Sequence, residues 1–319
     1  MSLRSLNNSK ASFEDPFLST GKQEPTVPPI PTWYGDRGIW AGGATDSSPQ
    51  LTEIDYFDIT STGNASDFGD LSYSSRGQQG NSNGSRAVIA GGYHDTPSGA
   101  YDNAIDYFAI ATTGNGSDFG DLTESGQWPA STCNGTRGTW AGKDESNVNQ
   151  YVTMDTTGNA SDFGDLVSAV GTNAGCNNST RGVIGGGNQV NVIQYITIAN
   201  TGNATDFGDL TQARRNLGGL DSDPAGRGVF GGGCCNYDVI DYITIANTGN
   251  ATDFGNLLAS NENVRAVSDG SRGVFGGGNT PSRVDVMQYI TIANTGNATD
   301  FGDLTAAKSS VGACSGSPS

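Results

Sequence analysis

The chain has 319 residues, with 48 Gly, 11 Pro and a formal charge of -17 from 33 acidic against 16 basic residues. That length buries a sizeable core, and 34% hydrophobic with 8% aromatic residues is too apolar for a disordered acidic chain. The acidity argues against nucleic acid or an anionic membrane surface as a partner, the glycines lack the three-residue period of collagen, and a single histidine, His94, leaves little room for histidine-dependent catalysis.

Residues 1–36 are polar and end in the proline-rich TVPPIP. They contain no apolar run of signal-peptide length, and no segment of the chain could span a bilayer as a helix. The expectation is synthesis in a reducing cytoplasm without a cleaved secretion signal. The segment reads as an extended arm, expected to dock on a neighbouring subunit through Phe13, Phe17 and Trp33.

From residue 37 onward one unit repeats. An apolar strand of the form RGVFGGG, or a close variant, begins at Arg37, Arg86, Arg137, Arg181, Arg227 and Arg272. A tyrosine strand follows, at Tyr56, Tyr107, Tyr151, Tyr195, Tyr242 and Tyr289, and then a block reading TGNASDFGDL or similar. These runs are rich in Val, Ile, Tyr, Phe and Thr and are punctuated by Gly, Asn and Asp, with no sustained helical period. The tyrosine strand is apolar on both faces, which requires sheets stacked on either side of it. Radial stacking of four-stranded blades supplies them.

The spacing also predicts how the ring closes. The Leu that ends each DFGDL precedes the next Arg by 15 residues in four cases, and the last such Leu, Leu304, stands 15 residues before the final Ser319. Residues 305–319 therefore read as the missing inner strand of blade one, whose own sequence starts at its second strand. The predicted architecture is an all-β, six-bladed propeller over residues 37–319, with blades starting near 37, 86, 137, 181, 227 and 272.

A residue present in every blade reads as scaffold. The six arginines need carboxylate partners if half buried, and the recurring Asp67, Asp118, Asp162, Asp206, Asp253 and Asp300 of the DFGD blocks are expected to supply them as structural pairs. A calcium ion held by Asn64, Asp67 and Asp70 is the sharper alternative, although the spacing is no EF-hand loop. The Gly-Asn of each TGNA reads as a turn signature, because Gly-Asn tolerates the left-handed conformation and the following Ser or Thr caps the turn. Five cysteines (Cys133, Cys176, Cys234, Cys235 and Cys314) form no CxxC and read as free thiols in buried strands. No metal or cofactor is expected. Trp40 and Trp140 occupy the apolar strand position and read as core.

Binding is expected where the copies differ. Blades one and two carry the long loops between their second and third strands, and the longest, YHDTPSGAYDNAI, presents Tyr93, His94, Asp95 and Tyr101. Aromatic rings beside a carboxylate on a rigid ring suit sugar stacking or a protein contact.

The glycines after an apolar strand, the following tyrosine strand and the aromatic before the next inner strand resemble the kelch repeat across residues 37–319. Phe68, Phe119, Phe163, Phe207, Phe254 and Phe301 stand where kelch repeats usually have Trp. The wording RGVFGGG…YITIANTGNATDFGDL is similar to propeller arrays in structural proteins of tailed phages, especially those of marine and cyanobacterial hosts. That resemblance implies a non-enzymatic virion component, attached at tail, neck or capsid and engaging other virion proteins through residues 1–36. It also implies contact with a host-surface glycan or protein. A free carbohydrate-binding lectin is the alternative. A glycan-cleaving enzyme is the third reading: one His cannot build the copper site of galactose-oxidase-like kelch enzymes, and the repeat lacks the Asp-box spacing of sialidases.

Overall fold

The computed structural model describes residues 34–48, 50–94, 99–143, 146–222, 226–235 and 237–316. Phe13, Phe17 and Trp33 of the expected docking arm, and Asp95 of the expected binding loop, lie outside the described residues. The described chain is all-β and forms six four-stranded antiparallel sheets arranged as the blades of a propeller, plus one two-stranded hairpin.

Within a blade the strands run from the axis outward in sequence order. In blade four these are Ala174–Asn177, Arg181–Gly185, Val192–Thr197 and Thr205–Asp209. Blade one is the exception that closes the ring: its inner strand is Gly312–Gly316, paired antiparallel to Arg37–Ala41 with Ile39 opposite Cys314. The closing strand expected over 305–319 is thus present, and sheet edges at the two ends of the array are paired.

Every blade carries a β-bulge between its third and outer strands. In blade four Ile193 faces Gly208 and Gln194 faces Asp206, leaving Phe207 as the extra residue. The bulge turns the Phe of each DFG into the seam between blades, where it meets the same blade's tyrosine edge-on at centroid distances from 5.8 to 6.1 Å. The glycine after it is obligatory. Gly208 has φ +148°, and a Cβ there would lie 2.4 Å from the Gly249 carbonyl oxygen of the next blade.

The core is divided among the seams. Ile39 and Phe68 of blade one pack with Ile89, Phe108 and Ile110 of blade two, and the 6–1 seam is built alike from Trp40, Phe57, Val274, Met287 and Phe301. Trp40 and Trp140 are fully buried, as expected.

Polar groups staple the same seams, and here one sequence expectation is corrected. The six arginines do not pair with the DFGD acids. Each stacks on the tyrosine of its own blade, with the guanidinium carbon 4.2 to 4.7 Å from the ring centroid, and donates to a backbone carbonyl of the next blade. The donations run Arg37 to Ile110, Arg86 to Met154, Arg137 to Ile198, Arg181 to Ile245, Arg227 to Ile292 and, closing the circle, Arg272 to Ile59. The aromatic face and carbonyl dipoles suffice for a guanidinium that keeps partial solvent contact. Asp67, Asp118, Asp162, Asp206, Asp253 and Asp300 instead face solvent at the outer edge.

The TGNA asparagines hold the same seams without using the left-handed region that the Gly-Asn pair tolerates. Each turns its side-chain oxygen to the outer strand of the preceding blade, as Asn250 Oδ1 accepts from Asp209 N at 3.1 Å and Asn64 Oδ1 from Asp303 N at 3.1 Å. Beside it two backbone bonds, such as Gly249 N to Phe207 O and Ala251 N to Asp209 O, tie the turn to that strand. Asn64 is therefore committed to a seam, and Asp70 Oδ1 accepts from Thr52 Oγ1; the two do not converge as a calcium site would require.

A ring of peptide groups surrounds the axis. Gly77 N donates to Ser310 O, Ser310 to Asn263, Asn263 to Asn216, Asn216 to Thr172, Thr172 to Trp128 and Trp128 back to Gly77. All six residues have φ between 55 and 76°.

Candidate functional site

The topology gives the disc two unlike faces. Turns between first and second strands, and between third and outer strands, share one face. Second-to-third loops and the blade-to-blade linkers share the other, called the loop face below.

On the loop face, blade two raises a two-stranded hairpin, Tyr93–His94 paired with Ala100–Tyr101. Three of the four residues expected in the binding loop come together here. The Tyr93 and Tyr101 rings meet edge-on at 5.4 Å, and His94 Nδ1 lies 2.9 Å from Asp102 Oδ1. Tyr101 is 47% exposed, an unusual degree for a large apolar ring in this chain. Two further residues complete the cluster and were missed from sequence. Asp102 immediately follows Tyr101, so its loop position was a usable signal. Arg76 had none: it comes from the preceding linker, forms a backbone bridge with Tyr93, and lays its guanidinium 5.2 Å from the Tyr93 ring centroid. The arrangement offers an aromatic edge, a cation and a His–carboxylate pair on a rigid base, which are groups that recognise hydroxyl-rich or mixed polar surfaces.

On the opposite face the described chain begins inside the axial channel. Tyr34 is buried there, its hydroxyl donating to Asp221 Oδ1 of blade five. Asp221 also accepts Asn177 N at 2.6 Å, and its backbone oxygen accepts Ser268 Oγ at 2.5 Å. The channel cavity is about 100 Å³, room for a few waters and too small for an organic ligand. It is narrow because small residues line it: a Cβ on Gly175 would meet Ser131 O at 2.1 Å. Two cysteines of inner strands, Cys133 and Cys314, border it, whereas Cys176 packs in the seam between blades four and five. Burial pushes the Cys133 and Cys314 thiols up to about 12 and Cys176 well above its ordinary value, with Asp221 adding to the rise at Cys133 and Cys176. All three are free thiols buried in strands, as expected. Cys234 and Cys235 depart from that expectation, because they sit in a loop-face turn and Cys235 is exposed.

The seams hold a further set of buried polar residues. The residue before each tyrosine is Asp55, Asp106, Gln150, Gln194, Asp241 or Gln288, all at most 3% exposed. Its side-chain oxygens accept from the residue just after the preceding blade's DFGDL leucine, as Gln150 Oε1 does from Thr123 N and Oγ1 at 2.6 and 2.7 Å. Two of the aspartates have a buried cation. Arg214 Nη2 is 2.6 Å from Asp241 Oδ2, and Lys308 Nζ is 2.7 Å from Asp55 Oδ2. Burial draws the Arg214 guanidinium below its ordinary value, with Asp241 opposing that shift. Asp106 accepts Ser72 N and Oγ at 2.6 and 2.7 Å and pairs with no cation among the described residues, and burial raises its carboxyl above the usual range.

Among the described residues no group of three or more His, Cys, Asp or Glu side chains gathers to hold a metal ion. Comparison with models of known protein families finds no match, and a comparison with curated proteins finds none.

Proposed function

We propose that this chain is a non-enzymatic structural component of a tailed-phage particle, anchored through residues 1–36 and presenting the loop face to the host surface. The observation that carries this reading is the opposition of two features. The described chain begins at Tyr34, in the channel on one face, while the blade-two hairpin, Tyr93–His94 paired with Ala100–Tyr101, rises from the other. A rigid ring held from one side and bearing an irregular aromatic cluster on the other is suited to attachment. The similarity of its repeat to phage propeller arrays supports the same reading. Deleting residues 1–33 is expected to leave a folded propeller that no longer enters particles. Substituting Tyr101, His94 and Arg76 by Ala is expected to leave incorporation intact and reduce host attachment. Normal incorporation of the truncated chain would overturn the proposal.

The Tyr93–Tyr101 pair beside His94–Asp102 also favours a second reading, a carbohydrate-binding propeller that works free of a particle. Glycan-array binding by the isolated propeller, lost on Tyr101→Ala, with no particle association of the full chain, would select it.

A further inference from the structure

Cys234 and Cys235 are adjacent in the blade-five loop that follows Gly232 and Gly233. Neighbouring residues in extended chain direct their side chains to opposite sides. Here a turn with Cys235 at φ +72° brings both to one side, and the two sulfur atoms lie 2.9 Å apart. The turn is fixed from beneath by Gly233 N donating to Asn261 O and Cys234 N donating to Arg215 O, each at 2.8 Å. Cys235 is exposed and borders a hollow of about 420 Å³ between blades five and six, lined also by Ser260, Glu262, Asn279, Thr280 and Pro281. Cys234 is 3% exposed and sits behind it. The other three cysteines are sealed in inner strands.

We propose that Cys234 and Cys235 form a redox-active vicinal dithiol that closes to a disulfide by exchange with a small-molecule disulfide of the oxidised-glutathione class. The exposed Cys235 thiolate attacks the reagent, forming a mixed disulfide and releasing one thiol. Cys234, once deprotonated, then attacks the Cys235 sulfur and expels the second thiol. Two protein thiols are oxidised and one reagent disulfide is reduced to two thiols, so electrons and protons balance. The product is an eight-membered ring that ties the turn beside the hollow. Contact with Cys234 holds the Cys235 thiol above its ordinary value, while Arg215 opposes this, so exchange quickens as pH is raised.

The test uses the full chain. Reduced protein is incubated with oxidised glutathione, denatured, alkylated and weighed intact, and its peptides are mapped. The expected result is alkylation of Cys133, Cys176 and Cys314 only, with loss of two hydrogens at residues 234–235 and no attached glutathione. In Cys234→Ser the resolving thiol is gone, and glutathione is expected to stay on Cys235 at about tenfold or more the level seen in the unaltered chain. Alkylation of all five cysteines in the unaltered chain would overturn the proposal, as would a stable glutathione adduct on its Cys235.

Discussion

The buried Arg214–Asp241 pair can be exchanged for the chain's own neutral solution. At the 4–5 seam Arg214 donates to Asp241 and also to the carbonyls of Gly232, Val239 and Phe230. Both side chains are fully buried. At the 3–4 seam the corresponding residues are Val170 and Gln194, and Gln194 Oε1 accepts Val167 N at 2.7 Å. The correspondence is structural: Val170 N donates to Ser146 O as Arg214 N donates to Val190 O. Arg214→Val alone strands a buried carboxylate, and Asp241→Gln alone strands a buried guanidinium. Each is expected to cost about 3–5 kcal/mol. The double variant rebuilds the neutral seam and is expected within about 1 kcal/mol of the unaltered chain, because well-packed neutral replacement of a buried pair is often neutral. The coupling between the two changes should then exceed about 3 kcal/mol. Chemical denaturation of the four proteins, followed by tryptophan fluorescence, measures it. A double variant that loses the sum of the single losses would refute the claim that seams accept either a charged pair or a Gln with an apolar neighbour.

Arg181→Ala removes a ring-stacked guanidinium and two donations, to Ile245 O and Ala246 O, and should cost about 2–4 kcal/mol. Asp206→Asn should change stability by less than about 0.5 kcal/mol; equal losses in denaturation midpoints for the two would restore the arginine–carboxylate pairing rejected above. Gly208→Ala places its Cβ against the Gly249 carbonyl and is expected to cost about 3 kcal/mol or more, read from the same titrations. For Asp106 the folded carboxyl titrates above its unfolded value, so its favourable contribution is complete at low pH and is lost as pH rises through the folded value. Asp106→Gln, which copies Gln150 at the 2–3 seam, should therefore be more stable than the unaltered chain near neutral pH, with the difference shrinking as pH falls through the carboxylate range. A difference that grows on acidification would contradict this.

Periodicity made the architecture readable in advance, because six copies in constant order, with an inner strand missing at one end and a spare one at the other, admit few closed arrangements. It did not reveal partners. Six arginines and six DFGD acids match in number, yet the arginines chose tyrosine faces and backbone carbonyls, groups that every strand offers and that leave no count in a sequence. The inter-blade role of the TGNA asparagines stayed hidden for a similar reason, since an acceptor for another blade's N–H looks the same in sequence as a turn former. The seam cations did leave a trace. Lys308 and Arg214 stand four residues after their leucines and precede blades whose buried residue is Asp55 or Asp241. Pairing Lys308 with Asp55 requires knowing that the ring closes. At the hairpin, loop length exposed Tyr93 and Tyr101, whereas Arg76 reaches them from a different segment of the chain.

Closure of the ring by the C-terminal strand is best tested by amide hydrogen exchange with mass spectrometry on the full chain and on a variant ending at Val311. Slow exchange is expected at both 37–41 and 312–316 in the full chain, comparable to the inner strands of other blades, with protection at 37–41 falling sharply once 312–316 is removed. Rapid exchange at 312–316 in the full chain, or undiminished protection of 37–41 in the shortened one, would contradict the six-bladed closed propeller.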